Sequence, residues 1–193
     1  MEERVTDFPS ADQVEKELKR EMYRQRYLVS LKSTVFTLVT VAAIAILVAT
    51  LWLPVLEIYG ESMAPGLHDG QIVVSAKTKD LSQGDIIAFY YNNKVLVKRV
   101  IATSGDWVNI IEDGTVFVNS YELYEPYISE KALGECDIEL PYQVPENKIF
   151  VMGDHRSISV DSRTSVVGCV GEDQIVGRIV FRVWPFDSWG LIN

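Results

Sequence analysis

The sequence predicts a mainly β domain preceded by one N-terminal transmembrane α-helix. Two patterns carry this prediction. A run without charged residues covers residues 33–56, and from residue 55 onward short β-rich segments alternate with turn residues. A chain of 193 residues with a hydrophobic fraction of 48% is long enough for one compact domain and one accessory segment.

The first 32 residues are polar and dense in charge, and nothing in them indicates chemistry. Residues 12–27 have the composition of a helix, and Ser10 is a plausible N-cap because its hydroxyl can accept an orphan backbone N–H. We predict a cytoplasmic tail over residues 1–32.

The apolar run is long enough to cross the hydrocarbon core of a membrane as a helix. A cleaved signal peptide would be shorter and would begin nearer the N-terminus. A buried core helix would show a polar face, and this run has none. We therefore predict a transmembrane helix over residues 33–54, ended by Pro54. Basic residues just before it place the N-terminus in the cytoplasm and the rest outside the cell membrane: Arg24, Arg26 and Lys32.

The pattern of residues 55–193 is typical of an all-β domain with a closed or half-closed sheet. We expect this domain to lie outside the cell. Asn92-Asn93 and Asp113-Gly114 indicate tight hairpins between predicted strands. Residues 120–147 are rich in acidic residues, including Glu125, and we expect them to form a solvated surface insertion. The predicted strands cover residues 55–59, 71–76, 85–91, 94–102, 107–111, 115–119, 148–152 and 175–183.

Composition excludes several classes of function. The net charge of −9 argues against nucleic acid as a partner, because phosphate binding needs a basic face. Cys136 and Cys169 allow at most one disulfide, which a domain outside the cell could form, and two unpaired thiols are the interpretation that we prefer. There is no CxxC motif and no Cys/His cluster, so the sequence predicts neither a metal site nor a cofactor.

Ser62 lies in a short segment after the apolar run, between Gly60 and Pro65. Pro65 fixes its own φ and disfavours helix before it, while Gly60 permits a sharp turn. This placement suggests a nucleophile held close to a lipid surface. The alternative is an ordinary turn serine.

A serine hydroxyl needs a base before it can act as a nucleophile at neutral pH. His68 lies in a turn where we expect it to be solvated, and His155 has no triad context. Lys98 lies within the apolar segment 95–101, where burial would lower its pKa and leave it neutral. The alternative is an edge-strand lysine that faces solvent. Strand alternation places Arg99 on the opposite face.

Four segments stand out along the chain: residues 60–65 (GESMAP), 84–89 (GDIIAF), 97–106 (VKRVIATSGD) and 152–163 (MGDHRSISVDSR). In this order they resemble the boxes of bacterial type I signal peptidases. Any one of them is a weak signal, but four in this order behind an apolar run are specific. The resemblance covers the chain from the predicted span to residue 185.

The resemblance implies roles for individual residues. Ser62 would be the nucleophile and Lys98 the general base, and Ser159 would hydrogen-bond to the lysine and orient it. The oxyanion would be held by the Ser62 N–H. Some relatives have a serine at the position of Gly60, so here only backbone at Gly60 is available as a second donor.

The resemblance also implies supporting residues and a substrate pocket. Arg99, Asp161 and Arg163 would form an ion-pair group behind the reacting atoms, and Asp154 would belong to the same support. The shallow pocket for small substrate side chains would be lined by Ile58, Met63, Leu67 and Val97.

The function implied is that of a membrane-anchored serine endopeptidase that removes N-terminal signal peptides from exported preproteins after small residues. Its partners would be preproteins delivered by the export machinery, and the lipid bilayer. A self-cleaving repressor domain is disfavoured by the apolar run and by the lack of a preceding DNA-binding domain. A catalytically idle scaffold in pilus or surface-protein assembly is disfavoured by the presence of both Ser62 and Lys98.

Overall fold

The computed structural model describes residues 10–78 and 80–192. The chain divides into two compact units between Val48 and Ala49. The first nine residues of the predicted tail lie outside the described part of the chain.

The N-terminal unit is helical. Helix α1 is continuous over Ala11–Trp52 and joins the two segments that the sequence predicts separately. No Gly or Pro interrupts residues 11–53, so nothing ends the helix between them. The predicted cap at Ser10 is confirmed: its Oγ accepts the Gln13 N–H at 3.4 Å, and Gln13 Oε1 accepts the Ser10 N–H at 2.9 Å. Among the described residues, this one helix is long and apolar enough to cross a membrane.

The second unit is mainly β, as predicted. Each of the eight predicted segments contains a strand, with ends that differ by at most two residues. Four further strands, of two residues each, are too short to show any period in the sequence. The strands are β1 (Val55–Glu57), β2 (Ile72–Ala76), β3 (Ile86–Tyr91), β4 (Lys94–Ala102), β5 (Trp107–Ile110), β6 (Val116–Val118), β7 (Tyr121–Glu122), β8 (Tyr142–Gln143), β9 (Lys148–Met152), β10 (Val170–Gly171), β11 (Ile175–Trp184) and β12 (Gly190–Leu191).

The strands form two antiparallel sheets. The larger has the order β1-β2-β11-β3-β4-β9-β10, with β12 paired to β11, and the smaller has the order β7-β6-β5-β8. Among the described pairings β1 and β10 stay at the edges, so the larger sheet is open rather than a closed barrel. Asn92 and Asn93 have φ values of 44° and 62°, which gives the predicted tight hairpin between β3 and β4.

Apolar side chains of the larger sheet pack under the segment that carries Ser62. Met63 and Leu67 are 1% and 0% exposed, and they anchor the turn to β1 and β2. The cluster is formed by Ile58, Met63, Leu67, Val73, Ile86, Ala88 and Ile179. Because side chains on both sides of Ser62 are buried in this way, the turn has little freedom to move.

Residues 120–147 differ from the solvated insertion expected from their acidity. They contribute β7 and β8 to the smaller sheet, and several of their apolar side chains pack on its core. Glu125, expected among the solvated acids, is buried against Arg156. The packed residues are Leu123, Leu133, Ile138, Leu140, Tyr142 and Val144.

Candidate active site

The turn before Ser62 is held by its own polar network. Gly60 has φ +83°, a conformation that favours glycine, and its N–H donates to Asp69 Oδ1 at 2.6 Å. The Glu61 carboxylate accepts the Asp69 N–H at 3.3 Å and contacts His68 Nδ1 at 2.9 Å. The pKa of Glu61 is lowered, first by the His68 contact and then by that backbone bond.

Lys98 reaches Ser62 across the cleft. Its Nζ lies 2.7 Å from Ser62 Oγ, and the lysine is only 4% exposed. Burial lowers the pKa of Lys98 from 10.5 to about 8; Asp161 opposes this shift and Arg163 adds to it. A substantial fraction of this amine is therefore neutral near pH 8, and a neutral amine can accept the hydroxyl proton of Ser62.

Of the two backbone donors expected for an oxyanion, only one is available. The Ser62 N–H makes no hydrogen bond to any residue that the structure describes. The Gly60 N–H is already donated to Asp69, so the structure does not leave it free for a substrate.

Gly153 fits tightly behind Ser62. A Cβ at this position would overlap both Ser62 O and Ser159 Oγ. The next residue but one, His155, donates its N–H to Ser62 O at 3.1 Å. The loop after β9 therefore packs directly on the backbone of residue 62, at a spot that only glycine can fill.

Ser159 lies at the site but does not make the bond that the resemblance implies. It is 2% exposed, and its Oγ has no hydrogen-bond partner in the described part of the chain. Lys98 Nζ bonds instead to Ser62 Oγ. His155 Nδ1 is likewise buried without a partner among the described residues.

Arg99 points away from Lys98, as strand alternation predicts, and forms an ion pair with Asp154. Its Nε and Nη2 donate to the two carboxylate oxygens at 2.9 Å and 2.8 Å, and its Nη1 donates to Gly84 O at 2.7 Å. The guanidinium also lies 3.9 Å from the centre of the Tyr127 ring. Burial raises the pKa of Asp154, and the bonds from Arg99 act against that shift.

Asp161 and Arg163 form a separate ion pair rather than one group with Arg99. Arg163 Nε and Nη2 donate to the two Asp161 oxygens, each at 2.8 Å, and both side chains are fully buried. Asp161 Oδ2 also accepts the Gly153 N–H at 3.0 Å. This pair therefore holds the loop that packs on Ser62.

A third buried ion pair was not predicted. Arg156 Nη1 donates to Glu125 Oε2 at 3.1 Å, and a second contact joins Nη2 to Glu125 Oε1. Arg156 lies within the fourth segment of the family resemblance, but no local pattern marks Glu125 or Tyr127. Glu125 is one acid among many in an acidic stretch, and only the fold brings it to Arg156.

A cleft of about 730 Å³ runs past Ser62 and Lys98. Ile58, Met63 and Val97, three of the four residues expected to line the substrate pocket, line this cleft, whereas Leu67 is buried beneath it. The walls are residues 55–59 on one side and 94–98 on the other.

The strands along the cleft have unpaired edges. Among the described strands, β1 pairs only with β2. Residues 94–98 of β4 pair with β3 alone, and pairing of β4 with β9 begins at Arg99. Both walls therefore present backbone N–H and C=O groups that an extended peptide can bind. No cluster of three or more possible metal ligands occurs among the residues that the structure describes.

The chain resembles known peptidases over most of its length. It matches the family model described as signal peptidase, peptidase S26, over residues 31–184. The signal peptidase IB of Staphylococcus aureus (strain COL) is 38% identical over 152 residues, which cover 68% of this chain and 78% of that protein. The signal peptidase I T of Bacillus subtilis (strain 168) is 37% identical over 142 residues, covering 67% and 72% respectively.

A solved structure also matches. The crystal structure of a signal peptidase I from Enterococcus faecalis V583 is 29% identical in sequence, with a TM-score of 0.43, and covers 53% of this chain and 98% of that one. From the family match and the two relatives, this chain belongs to the signal peptidase family, peptidase S26, and is a serine endopeptidase of that family.

Proposed function

We propose that this protein cleaves N-terminal signal peptides from exported preproteins, with Ser62 as the nucleophile and Lys98 as the general base. The observation that carries the proposal is the 2.7 Å separation between Lys98 Nζ and Ser62 Oγ, made by a lysine that is almost fully buried. Geometry of this kind is what a nucleophile and its base require.

In the proposed acylation step, the neutral Lys98 amine takes the proton of Ser62 Oγ as the oxygen bonds to the scissile carbonyl carbon. The carbonyl electrons move to the oxygen and form a tetrahedral oxyanion. When this intermediate collapses, the C–N bond breaks and the Lys98 ammonium gives its proton to the leaving amine. The signal peptide stays on Ser62 as an ester, and the mature chain departs.

Water completes the proposed cycle. Lys98, neutral again, accepts a proton from the water that attacks the ester carbonyl, and then gives a proton to Ser62 Oγ as the C–O bond breaks. The Ser62 N–H is the backbone donor that we assign to the oxyanion in both steps, because it has no acceptor among the described residues.

The remaining site residues are assigned supporting roles. The ion pairs Arg99–Asp154 and Asp161–Arg163 hold β4 and the loop after β9 in place around Lys98. Ser159 is assigned to the same loop. Its buried hydroxyl has no hydrogen-bond partner among the described residues, and we assign it to the support of Lys98.

The cleft supports the choice of substrate. An extended peptide can add as a strand to the unpaired edges that line it. Alternate side chains of a strand point to the same face, so the first and third residues before the cut would both meet the cleft floor. Ile58 and Met63 line that floor and are 4% and 1% exposed, which supports our assignment of small side chains to these two substrate positions.

The apolar helix and the family together indicate a membrane-anchored protein. We propose that it spans the cell membrane once, with residues 1–32 cytoplasmic, residues 33–54 in the bilayer and residues 55–193 outside. The basic residues before the apolar run support this orientation. Preproteins would reach the cleft from the export machinery.

The test is cleavage of a purified preprotein by the full-length protein in detergent. We expect Ser62→Ala and Lys98→Ala each to abolish cleavage, while His155→Ala stays active as the matched control in the same loop. Retained activity in either of the first two variants contradicts the proposal. Loss of activity in His155→Ala points to a histidine base instead.

A covalent probe separates the enzyme from a catalytically idle scaffold. A β-lactam-type penem acylates an activated serine, so we expect it to label wild-type protein but not Ser62→Ala. Absence of labelling in wild type favours the scaffold.

A further inference from the structure

We propose that Glu125 is a positioning residue for this reaction: through Arg156 it fixes the Gly153 carbonyl behind the nucleophile. The inference rests on the proposed function, since it concerns the placement of Ser62. The inference assigns a role to the carboxylate of Glu125. This residue lies outside all four segments of the family resemblance.

Both side chains of the Glu125–Arg156 ion pair are buried. The two side chains are 2% and 1% exposed, and they make two contacts through the two arginine nitrogens Nη1 and Nη2. A buried guanidinium without a partner is costly, so Arg156 stays in this place only while Glu125 neutralises it.

Arg156 in turn fixes the loop after β9. Its Nε donates to Gly153 O at 3.2 Å. On the other side of the same residue, the Gly153 N–H is held by Asp161 Oδ2 at 3.0 Å. Both peptide groups of Gly153 are therefore fixed by buried charged side chains, one on each side.

Gly153 in turn fixes the position of Ser62. Its Cα lies so close to Ser62 O and Ser159 Oγ that not even a methyl group fits between them. A shift of Gly153 therefore moves the backbone of Ser62, and with it the 2.7 Å contact between Ser62 Oγ and Lys98 Nζ.

The chain around Glu125 contacts the other arginines of the site as well. We call residues 125–134 the bracing segment. Tyr127 stacks on Arg99 at 3.9 Å, and Leu133 O accepts a hydrogen bond from Arg163 Nη1 at 2.6 Å. One segment thus touches all three arginines of the buried ion pairs, so its position and that of the loop after β9 are fixed together.

The bracing segment does not touch the substrate cleft. None of its residues lines the cleft that contains Ser62 and Lys98. A change at Glu125 should therefore act on the reacting atoms without altering any side chain that lines the cleft. That predicts a fall in kcat at nearly constant KM, since a misplacement of about 1 Å can cost about 100-fold in rate.

The experiment measures kcat and KM for preprotein cleavage by full-length Glu125→Gln, with Glu122→Gln as the matched control. Glu122 lies three residues away and pairs with Lys131 at 3.0 Å, but it is 58% exposed. We expect Glu125→Gln to lose at least about 10-fold in kcat with KM within about twofold of wild type. Glu122→Gln should keep both constants within about twofold.

A second variant, Arg156→Lys, keeps the buried charge pair but has no Nε to donate to Gly153 O. We expect it to remain folded, as judged by thermal melting, and to show the same selective loss of kcat. It therefore tests the positioning role even if Glu125→Gln does not fold.

Three outcomes overturn the proposal: wild-type kcat in either folded variant, a change confined to KM, or failure of both variants to fold. The last would make the pair structural only. If Ser62→Ala retains activity, the proposed function itself has failed. If Ser62→Ala is inactive while Glu125→Gln has wild-type kcat, only the positioning role has failed.

Discussion

The pH dependence of cleavage tests the assignment of Lys98 most directly. Burial lowers the pKa of this amine from 10.5 to about 8. At pH 7 about 9% of such lysines are neutral, against about 0.03% for an unperturbed lysine, so the buried site holds about 300 times more of the reactive form.

Because the base must be neutral to accept the Ser62 proton, kcat/KM should rise as the pH rises through the Lys98 pKa. We expect a single acid limb with a midpoint of about 8. Between pH 7 and pH 9 the neutral fraction, and with it kcat/KM, should rise about tenfold and then reach a plateau.

The assay is cleavage of a peptide with one cut site by the full-length protein in detergent, at substrate concentrations well below KM, from pH 6 to pH 10. His155→Ala serves as the control and should show the same limb. A midpoint near the ordinary pKa of histidine, a midpoint near that of free lysine, or a flat profile would refute the argument that a buried Lys98 is the base.

The packing of the loop after β9 leads to predictions for Gly153 and Asp161. Gly153→Ala should lower kcat/KM at least about 100-fold, because the added methyl overlaps the carbonyl oxygen of Ser62. Gly190→Ala, at a glycine with open space around it, should have wild-type activity in the same cleavage assay. Asp161→Asn should lower the free energy of unfolding by about 3–5 kcal/mol in a denaturant titration, since it leaves Arg163 buried and unpaired. In any folded Asp161→Asn protein, the acid limb should move to lower pH, because Asp161 raises the pKa of Lys98; a limb that moves upward contradicts this.

Much of the fold was predictable because its signals are local. The eight longer strands show alternation or β-branched composition, and the Asn92-Asn93 turn has its own chemistry. The apolar environment of Lys98 was visible in the strand around it. Its contact with Ser62 was not a local signal, and the family resemblance supplied it.

The features that sequence alone did not predict depend on contacts between distant residues. Glu125 and Arg156 are separated by 31 positions, and an acidic stretch gives no reason to expect one of its members to be buried. The Gly60 N–H was expected to be a candidate oxyanion donor. Only the structure shows that the Asp69 carboxylate, nine residues later, already accepts it.

The position of the unpaired strand edges inside the cleft affects whether a folded or an extended partner can pair with them. Five residues of β4, about 16 Å of strand, offer their backbone groups from inside a cleft rather than from an open rim. The wall formed by residues 55–59 stands opposite this edge. We expect it to obstruct the edge of a folded sheet and to admit a single extended chain. Other sheets suppress pairing at an exposed edge with charge or proline, whereas here the opposite wall limits access to the edge. Under the proposed function, we therefore expect cleavage to favour chain segments that have not yet folded.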